Sequence, residues 1–225
     1  MKRLTLLAFV IIVIPIEMVF GGYQDSQSKY STNYAISDSE SGQTVFIGLK
    51  SRHSAIELAA TELAKYICMM ADDPEASAVA GDPTTVTYSD NSEEMPVHLE
   101  LGLFSDFGIN MEGIEDTDLD DAIYIDVRDT KGIIAGCNAR SVLFAAYRFL
   151  EVNGCRWIRP GPDGDYVPLR RVDNLSARVS EKAGYRFRGD APDGSFSLDH
   201  VLDKIEWGSK VGQNTYYSEF FYPRY

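Results

Sequence analysis

The sequence predicts an α+β fold: two helices packed on one face of a mainly antiparallel sheet, followed by the first βαβ unit of a second architecture. Two helical stripes carry the first half of that prediction. Ile56, Ala59, Ala60, Leu63, Ile67 and Met70 fall on one side of a helix, and Val142, Leu143, Ala146, Phe149 and Leu150 on one side of another. Between them, Val97, Leu99, Leu101 and Leu103, and then Ile123, Ile125 and Val127, recur with period two, as half-buried strands require. After Arg178 the texture changes, and strand, helix and strand patterns follow one another up to Tyr217.

Taken in order, residues 22–43 are rich in Ser, Gln, Asp and Tyr without a sustained apolar period, and read as a flexible lead-in. Thr44 to Leu49 is a short buried strand, and Ser54-Ala55-Ile56-Glu57 has the capping-box spacing of a helix start. Residues 71–96 are loop-rich around Asp73-Pro74 and Gly81-Asp82-Pro83, with a strand possible at Thr84 to Tyr88. Lys131-Gly132 is read as the turn between the strand ending at Arg128 and Ile133-Ile134-Ala135. Asn153-Gly154 supplies the second helix's stop, because glycine enters the left-handed region without strain. Asp165 to Leu169 is a further strand. Tyr185 to Gly189, Leu198 to Lys210 and Asn214 to Tyr217 form the later strand, helix and strand.

Composition bounds the function. The chain has 225 residues, 44% of them hydrophobic, enough for a core. Lys and Arg number 21 against 34 Asp and Glu, a net charge of −13, so no nucleic-acid partner is expected: a phosphate backbone calls for a basic footprint. Met1-Lys2-Arg3 followed by apolar residues to Phe20 and a small-residue cut site describes a signal peptide over residues 1–21. The alternative, an uncleaved anchor, is disfavoured by Glu17 and the short run. The expected address is secreted, periplasmic or cell-surface, with no stable membrane span after cleavage. Cys68, Cys137 and Cys155 leave two states open, three free thiols (the preferred reading) or one Cys137–Cys155 bridge.

Several short motifs carry little. Asp116, Asp118 and Asp120 have the 1-3-5 spacing of a calcium loop, but position six is Asp121 and position twelve Val127, so a solvated acidic loop is the reading. Arg188-Gly189-Asp190 spells an adhesion tripeptide by chance, and Asn174-Leu175-Ser176 is a glycosylation sequon. His53, His98 and His200 are far apart in sequence. No HExxH, phosphate loop, GxSxG elbow or dinucleotide fingerprint is present, so neither metal nor cofactor is expected.

Asp121-Ala122-Ile123-Tyr124-Ile125, Gly132-Ile133-Ile134-Ala135-Gly136, Ser141 through Glu151, and Gly154-Cys155-Arg156-Trp157-Ile158-Arg159-Pro160-Gly161, in that order and spacing, resemble the N-terminal domain of secreted glycoside hydrolases. That domain type precedes the catalytic barrel in family 67 α-glucuronidases and family 20 β-hexosaminidases. The resemblance covers residues 44–225. It implies a non-catalytic α+β domain over 44–180 and the incomplete beginning of a (β/α)8 barrel over 181–225. It further implies that Arg188, matching an arginine that ends the first barrel strand in the hexosaminidases, hydrogen-bonds sugar hydroxyls. Physically a planar guanidinium suits adjacent hydroxyls; the competing reading is an ion pair with an acid such as Asp190. Asn214 and Glu219 are weaker sugar-binding candidates, and Tyr216, Tyr217, Phe220 and Tyr222 have two readings, stacking on a sugar face or, preferred, barrel packing.

The functional expectation is therefore the front part of an exported glycosidase acting on polysaccharide or glycoconjugate. Its catalytic carboxylates are expected beyond Tyr225, since a barrel takes about 250 residues and glycoside hydrolysis needs two placed carboxyl groups. No residue of this chain is assigned a catalytic role, and the chain alone is expected to be inactive. The alternative is a stand-alone secreted carbohydrate- or protein-binding module. Oligomeric state is left open.

Overall fold

The computed structural model describes residues 13–15, 33–37, 44–71, 99–190 and 197–217. The possible strand at Thr84 to Tyr88, the strand start at Val97, and Glu219, Phe220 and Tyr222 lie outside the described residues, as does the Tyr217 side chain.

The architecture is α+β. One sheet has six strands: β2 (Asn33–Ser37), β3 (Thr44–Leu49), β4 (Leu99–Leu103), β5 (Ala122–Arg128), β6 (Lys131–Gly136) and β9 (Ala177–Lys182). They lie in the order β2-β3-β4-β6-β5-β9, and the sheet is mixed: β3–β4 and β4–β6 are parallel and the other three pairings antiparallel. The parallel pairings follow from crossover connections, which bring the chain back in the same direction. Two strands were not foreseen. β2 falls inside the expected flexible lead-in, and β9 runs across the expected boundary at residue 180. Both are edge strands, which need little apolar alternation, and β9 ends in charged Glu181 and Lys182, as an edge tolerates.

α1 (Ser54–Met70) and α3 (Ala139–Val152) lie together on one face of this sheet, and every residue of the two predicted stripes is buried. The start of α1 differs from expectation. Ser54 is already helical, and extended His53 is the cap, its Nδ1 accepting the Ala55 N–H at 3.1 Å. At α3 the cap is Asn138, whose side chain accepts from Ser141 N at 2.8 Å. Period two distributes β5 between both faces. Ile123, Ile125 and Val127 enter the main core, while Ala122 and Tyr124 join Phe104 of the short α2 (Phe104–Phe107) on the opposite face.

The β5–β6 turn is Asp129-Thr130, not Lys131-Gly132, which already belong to β6. Both turn residues have positive φ, 48° and 58°, the pattern of a two-residue hairpin turn whose twist matches the strands. Thr130 is an unfavourable residue for that region. It is 3% exposed, its hydroxyl donates to Val172 O, and it accepts the Leu175 N–H at 3.1 Å. These bonds fasten the irregular segment 170–176 to the sheet. Thr130→Val keeps the shape and leaves a buried N–H and C=O unpaired, so denaturant titration is expected to show a loss of about 1–3 kcal/mol.

Against the two helices, through Trp157 on Tyr66 and Tyr147, come two small elements, β7 (Arg156–Trp157) paired antiparallel with β8 (Asp165–Tyr166), shorter than the strand expected at 165–169. Then β10 (Gly189–Asp190), α4 (Leu198–Lys210) and β11 (Thr215–Tyr217) form a βαβ unit with the two strands parallel. β1 (Val13–Pro15), within the expected signal peptide, pairs antiparallel with the outer edge of β11. Ser197 caps α4 by accepting from His200 N at 3.2 Å. Among the described residues no helix is long and apolar enough to cross a membrane.

No disulfide joins the three cysteines, Cys68 and Cys155 being buried and Cys137 half-buried, so the Cys137–Cys155 bridge does not form. Burial pushes the Cys155 thiol up to about 12 and raises Cys137 as well. Aromatic disulfide reagents are therefore expected to react slowly with the native chain and to count three thiols once it is denatured. A count of one would restore the bridge.

Candidate functional site

The sequence places two acids, Asp120 and Asp121, directly before β5, and two arginines, Arg186 and Arg188, directly before β10. The fold sets them opposite each other. Asp120 Oδ1 accepts from Arg186 Nε at 2.8 Å, and its Oδ2 accepts the N–H groups of Glu115 and Asp116 at 2.8 and 3.0 Å. Arg186 and those N–H groups hold the Asp120 carboxyl well below the usual carboxylate range. Asp116 in turn accepts from the N–H of Asp118 and Leu119. The calcium-like spacing thus caps its own loop, and among the described residues no acidic, histidine or cysteine group is arranged to hold a metal ion.

Asp121 is the deeper of the two, its side chain 3% exposed. Oδ1 accepts from Ser141 Oγ at 3.0 Å, Asn138 Nδ2 at 3.2 Å and Arg140 Nε at 3.0 Å. Oδ2 accepts from Arg188 Nη2 at 2.7 Å and Asn214 Nδ2 at 2.9 Å. The first turn of α3 has no acid of its own, so Asp121 supplies the negative charge that a helix N-terminus favours. Burial pushes its carboxyl up, but the Arg140 charge and the hydrogen bonds from Arg188 and Asn138 outweigh this, and the group sits below its ordinary value. A carboxylate with five donors is held ionised and fully engaged. It locks the βαβ unit onto α3 rather than moving a proton.

Arg188 and Asn214, singled out from sequence, are brought together on this carboxylate. Arg188 precedes β10 instead of ending the strand, and its acid is Asp121; Asp190 pairs with Lys204 at 3.7 Å. Its Nε donates to Gly212 O at 2.8 Å, its Nη1 to Tyr185 O at 2.7 Å, and the guanidinium stands 5.5 Å from the Phe144 ring centroid. Asn214 is 7% exposed and uses its whole amide: Nδ2 donates to Asp121 and Arg186 O, and Oδ1 accepts from Arg188 N and Thr215 Oγ1. Its amide is therefore committed to fixing the start of the parallel pair. Glu219 lies outside the described residues.

Arg188 also borders an open cleft of about 680 Å³, lined by the later turns of α3, the strand β7, the end of β9 and the C-terminus of α4. Phe144, Trp157 and Tyr166 give it aromatic walls. Lys210, 5% exposed at its side chain, closes one side. It pairs with Asp165 at 3.0 Å and Glu206 at 2.9 Å, faces the Tyr66 ring at 5.7 Å, and Tyr66 donates its hydroxyl to the same Asp165 oxygen. Trp157 packs edge-on against Tyr66 and Tyr147, and its carbonyl accepts from Trp207 Nε1 at 3.0 Å. Sequence reasoning missed Asp121, Lys210 and the cavity. The one available signal was the matched pair of doublets, Asp120-Asp121 against Arg186 and Arg188. Comparison of the chain with protein-family models, curated proteins and solved structures finds no match.

Proposed function

We propose that the chain is the N-terminal portion of an exported glycoside hydrolase acting on polysaccharide or glycoconjugate, with the six-stranded α+β unit as a non-catalytic platform. In this reading β10, α4 and β11 are the opening step of a (β/α)8 barrel whose later strands carry the two carboxyl groups of the reaction. The observation that supports it is the parallel β10–α4–β11 unit standing next in sequence to the α+β unit and clamped to it through Asp121, Arg188 and Asn214. A platform of this kind fixes the first barrel strand before the rest closes. The fully engaged Asp121 agrees with a supporting role for this part of the molecule.

The test is hydrolysis of aryl glycosides and plant or host polysaccharides by the 225-residue chain and by the chain extended through the downstream reading frame. The extended protein is expected to release sugar, and the 225-residue chain to match buffer. Turnover by the 225-residue chain, or a downstream frame without βα repeats and an acidic pair, would overturn the proposal. Glycan binding without turnover by both proteins would favour the secreted binding module instead.

A further inference from the structure

The cavity beside Arg188 gathers cations in a chain that is acidic as a whole. Five cations stand on its wall, Arg148, Arg156, Lys182, Arg188 and Lys210. Asp121, Glu151 and Glu181 on the wall, with Asp165 and Glu206 beside Lys210, pair with Arg148, Arg188 and Lys210, and Arg156 and Lys182 are left without an acid partner among the described residues, in a chain of net charge −13. Cations without an acid partner in a concave place concentrate anions there.

Two of the cations keep donors to spare. Arg156 commits Nη1 to the carbonyls of Glu151 and Cys155, both at 2.6 Å, while its Nε and Nη2 have no partner among the described residues. Arg188 gives one bond each from Nη1 and Nη2, so each nitrogen retains a second N–H. The remaining wall is apolar and flat: Phe144, Trp157 and Tyr166, with Tyr166 56% exposed. A volume of about 680 Å³ falls in the range of small-ligand sites.

We propose that this cavity binds a small amphipathic anion, a flat apolar body carrying one carboxylate or equivalent acid. The body lies against the aromatic wall, and the acid takes the free N–H groups of Arg156 and Arg188. A guanidinium offers paired N–H donors at the spacing of carboxylate oxygens, which makes the anion the preferred partner over a neutral hydroxyl. The proposal does not depend on the hydrolase assignment.

The molecule carries its own reporter. Its two tryptophans are Trp157 and Trp207, the first on the cavity wall and the second bonded to the first one's carbonyl, so intrinsic fluorescence reads this place. The experiment titrates the 225-residue chain with 3-phenylpropionate, with its neutral counterpart 3-phenylpropionamide, and with cellobiose. The acid is expected to shift the fluorescence saturably with a Kd of about 1 mM or tighter, and the amide to bind at least about tenfold more weakly. Arg156→Gln is expected to bring the acid down to the affinity of the amide, with the variant's far-UV circular dichroism and urea midpoint matching those of the parent chain to show that it is folded. Tyr166→Ala is expected to weaken both. Equal affinity for acid and amide, no saturable change with either, or tighter binding of cellobiose would each overturn the proposal.

Discussion

Asp121→Asn is expected to lower the stability of the chain by about 3–5 kcal/mol in urea titration, because breaking one side of a buried ion pair leaves the other side uncompensated. Here two guanidiniums lose this carboxylate's charge, Arg140 and Arg188, with side chains 11% and 22% exposed. The amide cannot be turned to suit. Facing one way its NH2 meets Asn214 and Arg188, and facing the other it meets Asn138, Ser141 and Arg140, all of them donors to the carboxylate now. Because this node ties β10 and β11 to α3, the variant is also expected to be cut early by protease between residues 183 and 188. A loss below about 0.5 kcal/mol, the size typical of surface substitutions, would show that the node is not a lock. The same carboxyl sets an acid limit. Its value in the fold lies below its unfolded one, so its contribution is complete above the unfolded value of about 3.9 and disappears as pH falls through the folded value. Stability is expected to decline below about pH 4, and the Asp121→Asn variant to show a flatter decline.

The second large effect belongs to Lys210. Lys210→Met removes the cation beside Asp165, whose side chain is 10% exposed and whose Oδ1 has no partner among the described residues. Only the Tyr66 hydroxyl would then face that charge, and a loss of about 3–5 kcal/mol is expected. Adding Asp165→Asn should recover most of it, since a neutral pair no longer strands an ion; failure to recover would mean that Lys210 acts through its stem packing on Tyr66. On its own, burial would lower the Lys210 ammonium, but hydrogen bonds with Tyr66, Glu206 and Asp165 raise it above its ordinary value. Its contribution is thus complete below the unfolded value of about 10.4 and is lost as pH rises through the folded value.

Local pattern carried the parts of this molecule that local chemistry decides. α4 occupies the residues its amphipathic pattern marked, Leu198–Lys210, and both core stripes are buried where periodicity put them. β9 escaped because Ala177–Lys182 has only Ala177 and Val179 turned inward, too short an alternation to stand out. The β5–β6 turn was displaced by two residues because Lys131-Gly132 carries the glycine. The positive φ values sit instead on Asp129 and on a threonine held there by bonds to residues 172 and 175. The site was half legible. Arg188 was marked through the resemblance and Asn214 by its place near the last strand, but their common partner Asp121 lies 67 and 93 residues away, a separation that no periodicity records.

That separation has a consequence for synthesis. As the polypeptide leaves the ribosome, Asp121 meets Arg140 after 19 residues, and Arg188 only after 67. At translation rates of about 5–20 residues per second, the 48 residues from Arg140 to Arg188 take roughly 2–10 s. During that time Arg140 is the only one of its two arginines that the nascent α+β layer can use, so the early sheet is born with one hand of its clasp open.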